Sequence, residues 1–266
     1  MSERRRKSGS RRLVAALVVL LALAAFGAGL ARGERTQHGN LIVSLDGGLS
    51  PLQLPRDHPS PVSVHLSGGL QTADRSVLPR VTKIEFGLPG QGVLTTRGLP
   101  VCPQRLIRHT LPVQALAACR AALVGHGNLR AEVLLPNQPS FQVHASLLAF
   151  NGNVEGKRAV LLHAYVQDPP TVIVLPFRIR LRSARLGTTL VADLPPSLGP
   201  WPHFAHFEMT LSRRYAYRGE RYSYLGASCP IPSSLTAGFF SFARATYTLA
   251  GGREVGTSIP RSCRAR

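Results

Sequence analysis

Aromatic and basic side chains that could hold a polymer crowd into one short stretch, residues 213–225, RRYAYRGERYSYL. Gly219-Glu220 fits the centre of a type II′ hairpin turn, in which glycine takes the first position. That register sets Tyr217 opposite Tyr222 and Tyr215 opposite Tyr224, a tyrosine ladder on one face. Arg214, Arg218 and Arg221 take the other face. Guanidinium groups beside aromatic rings suit anionic or sugar-containing polymers, through charge and stacking together. Tyr215 and Tyr217 also share parity with Phe207, Met209 and Leu211. Without a bulge at 212–214 the ladder therefore continues a buried face, and the arginines are left as a solvated edge that discourages strand-to-strand pairing.

Other chemistry is thinner. The thirteen acidic residues are scattered, with no spacing that obliges two of them to converge as a glycosidase pair. The chain holds no Gly-x-Ser-x-Gly elbow, no His-Glu-x-x-His and no phosphate-cradling glycine loop followed by Lys and Ser or Thr. His203 and His206 flank Phe204-Ala205, where extended backbone would turn their rings apart. His144 and His163 would face each other if a hairpin turned about Asn153-Val154, yet two imidazoles are short of a closed metal site. No metal and no cofactor is expected. Trp201, the sole tryptophan, lies in the proline-dense segment PPSLGPWPHF, where it could stack on a sugar ring or cap the core.

The compartment is read from the N-terminus. Arg4, Arg5, Arg6, Lys7, Arg11 and Arg12 precede an apolar run from Leu13 to about Ala25 that continues in small residues to Ala31. Gly29 and Ala31 supply the small residues of a cleavage site, so residues 1–31 read as a signal peptide. The same run approaches the length of a membrane anchor, and both readings stand. Either places the body outside the cytoplasm, since the positive end stays inside. Ser10-Arg11-Arg12-Leu13-Val14 fits a loose twin-arginine signal, although the apolar stretch favours the general secretory route. No lipoprotein anchor is expected, because no cysteine precedes Cys102.

Four cysteines in an exported chain make two disulfides with three possible connectivities. Pairing in sequence order, Cys102 with Cys119 and Cys229 with Cys263, closes one loop locally and ties the C-terminus to the body. The net charge is +19, and subtracting the leader's six basic residues and Glu3 leaves about +14. A basic body points to an anionic envelope polymer or lipid headgroups, while an Arg-, Ala-, Leu- and Gly-rich composition explains the same charge without a site. Nucleic acid is not an expected partner of an exported chain. The membrane is a partner only through an uncleaved leader.

These residues must be positioned mainly by strands. The one convincing helix starts at Thr110 as N-cap with Pro112 in its first turn and stops at Gly125. Leu116, Cys119 and Leu123, with Ala115 and Ala122, form its apolar face, clipped back by Cys102. Residues 32–60 read as a linker or edge strand around Leu41–Leu45. From 61 to 266 alternating runs bounded by Pro, Gly and Asn recur, among them 141–150 and 158–166 joined through a hairpin at 151–157. In 171–182, Phe177, Ile179 and Leu181 alternate with Arg178, Arg180 and Arg182. Ten to twelve strands and one short helix predict an all-β sandwich, with a subdomain split near 168–170 as the alternative.

Four segments, GLPVCP (98–103), LAACRAALVGHG (116–127), LLAFNG (147–152) and YLGASCP (224–230), resemble an uncharacterised family of bacterial secreted, two-disulfide proteins. The resemblance spans most of residues 61–263. It implies export and a β-rich fold, and carries no activity and no functional residues. The sequence thus predicts an extracytoplasmic, non-catalytic binding or envelope-structural protein, with a secreted hydrolase of unrecognised site as the alternative.

Overall fold

Alternation of apolar and polar residues runs through most of the chain and is realised as strand after strand. The computed structural model describes residues 33–181 and 186–266. Before the helix come β1 (Glu34–His38), β2 (Leu41–Ser50), β3 (Gln53–Leu54), β4 (Ser60–Pro61), β5 (Ser63–Thr72), β6 (Val81–Pro89) and β7 (Gly92–Leu94). The helix α1 spans Pro112–Cys119. After it come β8 (Leu123–Val133), β9 (Phe141–Val154), β10 (Lys157–Val166), β11 (Thr171–Leu181), β12 (Leu186–Asp193) and β13 (Pro202–Leu211). The chain closes with β14 (Arg214–Tyr217), β15 (Glu220–Ser223), β16 (Leu225–Ala227), β17 (Ala237–Leu249) and β18 (Glu254–Ala265). The leader expected over residues 1–31 and Arg182 lie outside the described residues.

Among the described residues the fold is β-rich with one short helix and two disulfides, but it is not a sandwich of ten to twelve strands. Thirteen of its strands join one curled sheet in the order β1-β2-β5-β13-β8-β9-β10-β11-β12-β6-β17-β18-β3. A two-stranded sheet, β14-β15, and a three-stranded sheet, β4-β16-β7, stand apart from it. From β8 to β12 every strand pairs with its neighbour in sequence, so the ladder never splits into two layers. Bulges between Leu123 and Gly125, Phe204 and His206, and Ser241 and Ala243 bend it. Glycines tighten the coil where backbones nearly touch. A side chain on Gly69 would place its first carbon 2.0 Å from the Ala205 carbonyl oxygen, and one on Gly127 2.0 Å from that of Glu208.

Curling brings the two ends of the sheet together, and side chains rather than a ladder join them. Thr36 Oγ1 on β1 donates to Thr257 Oγ1 on β18 at 2.7 Å. His38 Nε2 stands 2.8 Å from the Gly256 carbonyl, and Arg253 donates to the His38 carbonyl at 2.7 Å. Further along, the Arg261 guanidinium reaches both the Asp46 carboxylate and the Gly47 carbonyl. Inside lies the core, with Phe86 and Phe207 5.0 Å apart between ring centroids and Phe204 stacked on Tyr247 at 5.4 Å.

Segment 32–60 is no linker: β1 is the edge strand and β2 pairs along its length with β5, with Val43 fully buried. Nor does the chain divide at 168–170, because β10 and β11 pair directly across that turn. The helix is shorter than expected. Its N-cap is Leu111, whose N–H donates to the Gln114 side chain at 3.0 Å, and a 3-10 turn over Arg120–Ala122 ends it. Gly125 lies inside β8, where pairing with β9 and β13 outweighs helical propensity. Both disulfides follow sequence order, Cys102–Cys119 and Cys229–Cys263. The first holds α1 on the outer face of β9 and β10, where Ala115, Cys119 and Ala122 pack with Ile107, Phe150 and Leu161. With the core on one face and the helix on the other, β10 is buried from Ala159 to Ala164.

Candidate functional site

The hairpin at 213–225 forms, in a register other than the expected one. Arg218 and Gly219 both have positive φ, 53° and 81°, so they are the two turn residues of a type I′ hairpin. Tyr217 therefore pairs with Glu220 and Tyr215 with Tyr222. Tyr224 leaves the ladder and is fully buried in the core beyond it. Tyr215 and Tyr222 stack at 5.7 Å, and the Arg218 guanidinium sits 5.2 Å from the centroid of Tyr217.

That tyrosine face is occupied by the protein's own chain. The Tyr215 hydroxyl donates to the Arg97 carbonyl at 2.8 Å, and the Tyr217 ring lies where any side chain on Gly98 would stand. Burial, with the neighbouring Tyr222, raises the Tyr215 pKa, and donation to Glu220 at 2.6 Å raises that of Tyr222. The ladder pins the loop leading to Cys102 and offers no open aromatic platform. Arg214, Arg218 and Arg221 remain exposed.

The histidine pairing also shifts. Glu155 and Gly156 make the β9–β10 turn, with φ of 51° and 74°, so His163 faces Leu148 rather than His144. His163 is buried under the helix, its Nε2 2.8 Å from the Thr110 carbonyl. Among the described residues no group of three His, Cys, Asp or Glu could hold a metal ion. His203 and His206 are separated by the bulge in β13, and Trp201 is 40% exposed beside Gly199.

A different basic feature crosses the outside of the sheet. Arg35 pairs with Ser44, Ser44 with Gly69, Gly69 with His206, His206 with Arg130, and Arg130 with His144. Register partners in adjacent strands share a face, so these residues form one transverse row over β1, β2, β5, β13, β8 and β9. At about 4.8 Å per strand the row is about 24 Å long. Arg75, from the β5–β6 loop, joins Arg35, Arg130 and His206 around an open groove of about 680 Å³. Among the described residues none of these three arginines has a carboxylate within 4.0 Å; His206 stands 3.6 Å from Glu208, and Glu132 also lines the groove.

A second open groove, of about 560 Å³, lies across β1, where Glu34, Glu85, Glu254 and Arg244 meet. Lys83 stands 3.8 Å from Glu85 and 3.4 Å from Glu254. Sequence spacing hides both grooves, because their residues come from strands far apart in the chain. The one visible signal is the outward alternation of Asn128, Arg130 and Glu132 with Leu129 and Ala131. Among the described residues no helix is long and apolar enough to cross a membrane. The chain matches no protein-family model, no curated protein and no solved structure.

Proposed function

We propose that this is an extracytoplasmic, non-catalytic binding protein whose transverse basic groove holds an anionic envelope polymer. The observation that carries this reading is the in-register row Arg35, His206, Arg130 and His144, flanked by Arg75, with three guanidinium groups that lack carboxylate partners among the described residues. Guanidinium groups spaced over about 19 Å, from Arg35 to Arg130, suit a chain of repeated negative charge better than a single headgroup. Two disulfides support placement in an oxidising compartment. The hairpin arginines, which are exposed, add general attraction.

The test compares two variants of equal charge, Arg35→Gln/Arg75→Gln/Arg130→Gln and Arg214→Gln/Arg218→Gln/Arg221→Gln. Retention on immobilised anionic wall polymer is measured at low and moderate salt, with anionic vesicles as a parallel arm. The groove variant should lose about tenfold in affinity and most of its salt dependence, and the hairpin variant much less. Equal losses would reduce the interaction to net charge, and retention by vesicles alone would transfer the site to lipid headgroups.

A hydrolase remains the second reading because three glutamates line one groove. Two of the three already have an ion-pair partner, because Lys83 stands 3.8 Å from Glu85 and 3.4 Å from Glu254. Turnover in a hydrolase panel, abolished by Glu85→Gln or Glu254→Gln, would reverse the order.

A further inference from the structure

We propose that the interior of the curled sheet is a binding site for one unbranched alkyl chain, of the kind found in the tail of an amphiphile. The inference is independent of the basic groove, which lies on the outer face. Within the sheet is a cavity of about 100 Å³ whose walls are entirely apolar, among them Phe86, Leu147, Ala149, Leu162, Phe207 and Met209. Native interiors rarely leave voids much larger than a water molecule. Water is a poor occupant here, because it needs two to four polar partners and this wall offers none. Dry apolar cavities of about 150 Å³ take up guests the size of benzene, so this one is on the scale of a short run of carbons.

Two adjoining chambers suit a chain better than a ring. A second cavity of about 40 Å³ shares Val64, Leu88 and Leu225 with the first, so the two adjoin across these side chains. It lies beneath the three-stranded sheet and reaches Val93, which is 39% exposed. Thr188 lines this outer chamber and not the inner one. A guest would therefore seat its tail in the inner chamber, lead its remaining carbons past Val64, Leu88 and Leu225, and leave its polar end near β7. Closed or curled sheets of this strand number commonly enclose such a space.

Straight-chain alcohols from about four to twelve carbons are the probe, since they carry no charge for the basic surface to attract. Delipidated protein is titrated by calorimetry, and the methyl group of Met209 is followed by NMR. Met209 is the chain's one methionine besides Met1 and lines the inner cavity, so its signal reports that space directly. Affinity should rise about fourfold per added methylene until both chambers are filled and then level off, with a saturable shift at Met209. A branched alcohol of equal carbon number should bind at least tenfold more weakly. Ala149→Leu, which fills the inner chamber, should abolish the Met209 shift. A silent Met209 in the unsubstituted protein, an affinity independent of chain length, or undiminished binding by folded Ala149→Leu would each overturn the proposal. Polymer retention by Ala149→Leu should be unchanged, so failure here is distinguishable from failure of the groove.

Discussion

Two residues show how burial and hydrogen bonding act in opposite directions. Tyr247 is fully buried with its ring on Phe204, and its hydroxyl has no hydrogen-bond partner among the described residues. Burial raises its pKa far above the usual phenol value. An unsatisfied buried hydroxyl is destabilising, so Tyr247→Phe should raise stability by about 1 kcal/mol in denaturant unfolding, with the ring stacking kept. A clear loss of stability would mean that the hydroxyl has a partner. Asp74 is the reverse case, an exposed carboxylate that accepts from the Asn40 side chain at 2.8 Å and the Ser76 amide at 2.9 Å. Those bonds, Asn40's first, hold its pKa down at about 2. A depressed carboxylate stabilises the fold above the ordinary value near ~4 and loses that contribution as pH falls toward the folded value. Asn40→Ala should therefore raise the Asp74 midpoint in an NMR titration and loosen the β5–β6 loop between about pH 4 and 2. A midpoint that stays in place would assign the shift to Ser76 alone.

Elements were legible where the pattern is local and misread where a turn had two solutions. The disulfide pairing could be read because closing a short loop around a helix is a local geometric matter. The helix was overextended because Gly125 resembles a stop, whereas strand pairing claims the chain from Leu123. In both hairpins the turn centre was misplaced, because Arg218 and Glu155 adopt positive φ, which side chains other than glycine, asparagine and aspartate seldom take. Shifting a turn moves every cross-strand pair, which is why the Tyr215–Tyr222 stack and the separation of His144 from His163 were not foreseen. The helix nonetheless depends on its disulfide more than on its own length, since eight residues are marginal in isolation. Cys102→Ala/Cys119→Ala should cost about 3 kcal/mol on the loop-entropy model. Because α1 lies outside the sheet, hydrogen exchange should quicken at 103–122 first and leave β2, β5 and β13 protected. Simultaneous loss of protection throughout would make the clip essential to the sheet itself.

At the scale of the whole molecule the curl could not be read from any single strand, since the alternation that feeds a sandwich also feeds one coiled sheet. What separates them is strand order, together with bulges and close glycine contacts whose partners lie far away in sequence. The basic groove shares this origin: its row exists because six strands are in register, and it would vanish with a slip of one residue. Closure of the sheet then rests on side chains between β1–β2 and β18. Of these, Arg261 is the most committed, because its side chain is only 18% exposed and its guanidinium reaches the Asp46 carboxylate and the Gly47 carbonyl together. Charge-assisted bonds of this kind are worth about 1.5 to 3 kcal/mol, more than an exposed ion pair. Arg261→Ala should therefore lower stability by about 2 kcal/mol, and Arg261→Lys, which keeps charge but lacks the planar fork, should recover less than half of that. The loss should also be placed: amides of β1, β2 and β18 should exchange faster while β9 and β10, ladder-paired on both sides, keep their protection. Full rescue by lysine would reduce the contact to charge alone, and unchanged exchange at β1 and β18 would mean that the core, not this seam, holds the two ends of the sheet together.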